Sequence, residues 1–182
     1  GRLLFDERTA QRTILADELR VLDHQPLSDW LNRTLASVSD RHALAGLMVS
    51  THGCTFAPTA GDQLAAPILD YEQPVPAEID QKFAAEAPAF AESFTPNLPG
   101  GLNVARHIYM REQMTPDTFK QADAILQYPQ FWNWLFTGAK VSEISSIGCH
   151  SHLWNPRANT FTSLIERRGW RPKFPPFRRG RG

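Results

Sequence analysis

Apolar positions recur at helical spacing most clearly over residues 26–38. Leu27, Trp30, Leu31, Leu35 and Val38 share one face, and Pro26 suits a first turn. This pattern predicts a helix with Trp30 in the core. Leu44–Ser50 then carries the continuous apolar run Leu47–Val49, which predicts a core strand covered on both faces. Thr51, His52 and Gly53 would lie at its carboxyl end, where open α/β sheets bind small polar ligands. A second short strand follows, Gly61-Asp62 marks a turn, and residues 67–72 read as another extended piece. Near the start, Arg2–Phe5 predicts a strand, with Gln11–Leu15 as its hairpin partner across polar residues 6–10. Downstream, helices are predicted over 76–87, 102–114, 116–122, 129–136, 143–147 and 161–168. The helix over 129–136 is expected to stop at Gly138. Residues 124–127 read as extended and 90–101 as an irregular loop, and no internal repeat is visible.

Composition narrows the class. With 182 residues, 42% of them hydrophobic, 21% charged and a formal net charge of +0, the chain suits one soluble globular domain with a sizeable core. The balanced charge argues against nucleic acid or an acidic membrane as a partner. No apolar run approaches the ~18 residues that a membrane span needs. The opening residues do not read as a signal peptide. The first residue is not Met, so the true start is expected upstream. Cys54 and Cys149 form no disulfide framework, and a reducing cytoplasm is the expected location. Residues 177–182 are expected to be a basic, disordered tail; an RNA-binding Arg-Gly role for it conflicts with the neutral charge of the whole chain.

The segment Thr51-His-Gly-Cys-Thr-Phe, the turn at Gly61-Asp62 and Leu69-Asp-Tyr-Glu come in an order that resembles the sugar-binding half of the FGGY carbohydrate kinases. The second half extends the resemblance. There, Phe131-Trp-Asn-Trp-Leu-Phe-Thr-Gly leads to Ser142-Glu and then to Gly148-Cys-His-Ser-His-Leu-Trp. The likeness covers about Arg20 to Pro176 and is strongest to the L-fuculokinase and rhamnulokinase-like branch. It implies an α/β fold: a partial ribonuclease H-like domain of the actin-like ATPase class, with a mixed sheet and flanking helices over residues 1–176. It also implies ATP-dependent phosphorylation of a ketose or deoxy-ketose, with ATP and Mg serving the full-length enzyme. The family's Asp-x-Gly-Thr phosphate motif does not precede Arg2, and its catalytic Asp is expected beyond the chain end. This chain alone is therefore expected to lack kinase activity. The alternative is a non-catalytic sugar-binding or protein-association module of the same fold. Such a module would expose apolar surface and is expected to form homo-oligomers.

The substrate-binding candidates implied by the resemblance are His52, Gly53, Asp70, Tyr71, Glu72 and His150. Polyol hydroxyls need directional donors and acceptors on short supports, and Gly53 would let the backbone approach a ligand. A core histidine capping a strand end is the competing reading for His52. Leu-Asp-Tyr-Glu replaces the family's Trp-x-Asp-x-Arg, and Asn103 reads better as a helix cap. Cys149, His150 and His152 offer soft ligands, but no second Cys/His pair completes a zinc site, so no metal is expected. In an extended segment His150 and His152 would share one face. A nucleophilic Cys54 is not expected, since only His52 lies near it in sequence. Trp132 and Trp134, two residues apart on a helix, are expected to split, one inward and one covering a domain contact.

Overall fold

The structure is a computed structural model, and residues 1–178 are described. The chain opens with a hairpin of β1 (Arg12–Ala16) and β2 (Leu19–Asp23), paired antiparallel with Ala16 opposite Leu19. Its two-residue turn places Asp17 (φ 50°) and Glu18 (φ 65°) in the left-handed region, as a type I′ turn requires. The partner of the first strand is therefore the segment after it. Residues 2–5 form no strand, and Leu3 and Leu4 are exposed. An acidic pair replaces the Gly or Asn that normally signals such a turn, so the hairpin left little trace in the sequence.

Helix α1 (His24–Ser39) contains the predicted 26–38 span, but none of its residues is fully buried. Leu27 and Leu31 pack against the core from outside. Trp30 is half-exposed, not a core residue, and its indole N–H donates to Glu7.

The largest departure from expectation follows α1. Residues 44–50 are not a strand. Among the described residues, no backbone hydrogen bond joins 43–53 to another segment, so the apolar run lacks a ladder. Leu47 and Met48 are exposed, Met48 by 91%, while Val49 rests on the core edge. The central sheet instead has the order β4–β3–β5, with β3 (Phe56–Ala60), β4 (Gln63–Leu64) and β5 (Ala124–Gln127) all antiparallel. His52 and Gly53 thus precede the amino end of β3 rather than following a strand. The β3–β4 turn is the expected Gly61-Asp62, with Gly61 at φ 61°.

Side-chain alternation across β3 and β5 divides the core into two layers. Phe56 and Ile125 face a layer with α2 (Ala77–Glu86) and α4 (Val104–Met114). Ala57, Ala124 and Leu126 face an aromatic layer built on α6 (Tyr128–Thr137). Both Trp132 and Trp134 are buried there around Phe131, so neither is left outward. Helix α6 ends at Gly138 with φ 71°, as expected.

The loop over 90–101 carries the short helix α3 (Phe90–Ser93) and a 3₁₀ turn at Gly100–Leu102. Helices α5 (Pro116–Gln121), α7 (Ile144–Gly148) and α8 (Ser163–Arg167) match predicted elements, α8 being shorter because Thr160–Phe161 pairs as β7 with β6 (Trp154–Asn155). Glu143 caps α7, accepting from the Ser145 and Ser146 amides. At the end of the described chain, Phe177 packs on Trp154 and Phe161 and forms a parallel bridge with Ser142. The rest of the tail, residues 179–182, lies outside the described residues.

Candidate functional site

The candidate residues fall in two adjoining groups. In the first, the His52 ring lies between two tyrosines, with centroids 5.2 Å from Tyr71 and 5.1 Å from Tyr128. One edge of His52 remains exposed. Partial desolvation lowers its pKa, opposed by the Asp70 charge. Its neutral form, with one donor and one acceptor nitrogen, is thereby favoured. Asp70 is buried and fixed: it accepts from Thr13 Oγ1 at 2.5 Å and from the Glu72 amide at 2.9 Å, with Arg20 at 3.7 Å. The bonds Asp70 N–H to Arg20 carbonyl and Leu22 N–H to Ile68 carbonyl lace residues 68–70 onto β2. The hairpin therefore orients the acidic loop. Glu72 turns away, exposed, and pairs with Arg20.

The second group adjoins it across residues 52–54. Gly53 faces Cys149, and His150 Nε2 lies 3.9 Å from Cys54 Sγ. His150 Nδ1 is 2.7 Å from the Leu102 carbonyl. His150 (φ 40°) and His152 (φ 66°) both adopt left-handed backbone, so the segment is not extended and their rings diverge. His152 is buried beside Phe83 and Ser93. Among the described residues, no group of three or more His, Cys, Asp or Glu side chains could hold a metal ion.

Asn103 joins the groups. Its side chain donates to the His150 carbonyl and accepts from the Leu98 amide, so it braces a loop and does not cap α4. Next to it, the Gly101 amide donates to the Tyr71 carbonyl. A Cβ on Gly101 would overlap the His107 ring and come within 2.9 Å of Tyr71 Cα. His107, also buried, meets the Gln73 carbonyl at 2.8 Å through Nε2. Desolvation lowers the pKa of both His107 and His152 to about 4.

Sequence reasoning missed Tyr128 and Thr13. Tyr128 reads as the start of an aromatic helix, and the β3–β5 pairing, continued by the backbone bond from its amide to the Thr55 carbonyl, brings it beside His52. Gln11 accepts from its hydroxyl. The larger clefts lie elsewhere. One of about 690 Å³ is bounded by Leu47–Val49, Pro129, Gln130 and Phe136, and one of about 450 Å³ by β2 and residues 64–67. Neither cleft is lined by His52, Tyr71 or Tyr128.

No family model matches this sequence, and no curated protein matches it. Solved structures do. A carbohydrate kinase from Novosphingobium aromaticivorans superposes with a TM-score of 0.88 at 34% identity, over 93% of this chain and 36% of that one. A ligand-bound xylulose kinase from Lactobacillus acidophilus gives a TM-score of 0.77 at 12% identity over 94% of this chain. A gluconate kinase from the same organism gives 0.78 at 12% identity over 94%. Of each of those two chains, 36% is covered, so this chain spans just over a third of the length of the structures it matches. Its fold is that of a partial sugar-kinase domain of the actin-like ATPase class.

Proposed function

We propose that this chain is the sugar-binding portion of a carbohydrate kinase of the FGGY type, acting on a ketose or deoxy-ketose. The observation that carries the proposal is the 34% identity to a carbohydrate kinase, sustained over 93% of the chain. The His52 group supports it. Half-buried Tyr71 supplies an apolar wall suited to the C–H face of a sugar, buried Tyr128 backs His52 from the core, and neutral His52 can both donate to and accept from hydroxyls. Asp70 holds the loop that carries Tyr71, while desolvation of the His52 ring outweighs the Asp70 charge and keeps the imidazole neutral. Gly53 and His150 border the same surface.

The kinase reading brings ATP and Mg²⁺ with it, which would neutralise and position the transferred phosphoryl group. The described residues offer no metal-holding cluster, so no phosphoryl-transfer step is assigned to this chain's side chains. By itself the chain binds sugar without turning over ATP. No described helix is long and apolar enough to cross a membrane; the proposed setting is the cytoplasm, with no nucleic-acid or membrane partner. The test is a thermal-shift screen of the 182-residue protein against a ketose and deoxy-ketose panel, run beside an ATP-turnover assay. Stabilisation by at least one sugar without turnover is expected. No shift with any sugar would favour an association module of the same fold, and sugar-dependent turnover would overturn the assignment of an inactive portion.

A further inference from the structure

We propose that Arg111 anchors a second ligand site, which takes a small monocarboxylate with an apolar body. The site is a pocket between the β1–β2 hairpin, residues 65–67, the carboxyl end of α4 and α5. Its lining shares no residue with the His52 group.

Arg111 is 6% exposed, and among the described residues no carboxylate lies within ion-pair distance of it. Its guanidinium makes one hydrogen bond, from Nη2 to the Pro67 carbonyl at 2.7 Å. Nε is enclosed without a partner, and Nη1 has none among the described residues. Arg106 is buried to the same degree, at 4% exposure, but it pairs with Asp80 and donates to Asn97. A guanidinium stays charged in a protein, so burying one without a counter-ion is costly. Burial accordingly pushes the Arg111 pKa down, with no acidic group opposing. The Pro67 carbonyl and the last turn of α4 supply only partial negative charge.

The pocket beside Arg111 selects the kind of anion. It holds about 360 Å³, enough for a small organic molecule. Leu19, Val21, Ala65, Pro67 and Met114 make its walls largely apolar. Arg111 is the one cationic side chain in the lining, and Asp17, exposed, is the one anionic side chain. A single fixed positive charge matches a monocarboxylate, whose two oxygens fit the guanidinium fork. A phosphate dianion would bring a second charge that only Asp17 could face, and like charges repel. The Thr115 hydroxyl is committed to the Arg111 carbonyl. The Thr118 hydroxyl, also in the lining, has no partner among the described residues and is free to donate to a bound carboxylate.

The test follows backbone amide shifts of the ¹⁵N-labelled 182-residue protein during titration with acetate, propionate and butyrate at constant ionic strength and neutral pH. Saturable shifts at 65–66, 111 and 115–118 are expected, with affinity rising about fourfold for each added methylene. Arg111→Met keeps the side-chain stem and should remove these shifts. Ala65→Leu fills the pocket with Arg111 still in place and should also remove them, which keeps the site testable if Arg111→Met does not fold. Butyrate binding that persists in either folded variant, or no saturable shift at these residues, would overturn the site. Tighter binding of inorganic phosphate than of butyrate, or equal shifts with chloride and butyrate, would overturn the monocarboxylate assignment. None of these readouts depends on sugar binding.

Discussion

At the residue scale, a few side chains that neighbours hold in place form the candidate site. His52 is fixed by the two tyrosine rings and has no direct hydrogen-bond partner among the described residues, which leaves its nitrogens free for a ligand. His52→Ala should therefore abolish sugar-induced stabilisation while lowering the apo melting temperature little, as expected for an exposed side chain. Differential scanning fluorimetry of both forms, with and without the stabilising sugar, checks this. Gly101 behaves oppositely. Any Cβ there collides with the His107 ring and presses on the Tyr71 backbone, so Gly101→Ala should cost about 2–3 kcal/mol in urea unfolding. The sequence pointed to His52, Asp70 and Tyr71 as neighbours, and the fold brings them together. It gave no sign of Tyr128 or Thr13, because each reaches the group through a long-range backbone pairing and not through local spacing.

At the scale of elements, helices were legible wherever a continuous apolar face meets the core, as in α2, α4 and α6. Strands were legible less often, since a strand needs a partner that the local pattern does not name. Leu44–Ser50 has the apolar run of a core strand, yet Leu44, Leu47 and Met48 remain in solvent, Val49 touches only the core edge, and the backbone lacks a ladder. Leu47→Lys with Met48→Lys should accordingly change unfolding free energy by no more than about 0.5 kcal/mol. A loss of several kcal/mol in chemical denaturation would restore these residues to the core. The β1–β2 hairpin was hidden for the converse reason: Glu18 stands in left-handed backbone where a type I′ turn normally carries Gly. Replacing the pair with Asn-Gly should stabilise the hairpin by about 0.5–1 kcal/mol. Slower hydrogen exchange at the β1 and β2 amides would report that gain.

At the scale of the whole molecule, two buried neutral histidines tie stability to pH. His107 and His152 have folded pKa values near 4, below the ordinary 6.5, because burial disfavours their charged forms. The unfolded chain therefore binds more protons between these limits. Stability is fully present above about pH 6.5 and falls as pH drops toward 4, on the order of 1 kcal/mol per pH unit for each histidine. Urea midpoints from pH 7 to 4.5 should show that slope, and His152→Leu should flatten it by about half. The architecture itself was legible only through the order of motifs along the chain. Composition gave a soluble globular class, and periodicity gave helices. Neither specified that β3 and β5, more than sixty residues apart, would divide the core into two layers.

Sugar binding at His52 and Tyr71, with Tyr128 behind them, is tested most directly by NMR. Backbone amide shifts of the ¹⁵N-labelled chain would be followed during titration with the sugar that stabilises it best. Saturable shifts clustered at 52–53, 70–72 and 128 are predicted. Shifts centred instead on Leu47–Val49 and α6, lining the larger cleft, would contradict the site.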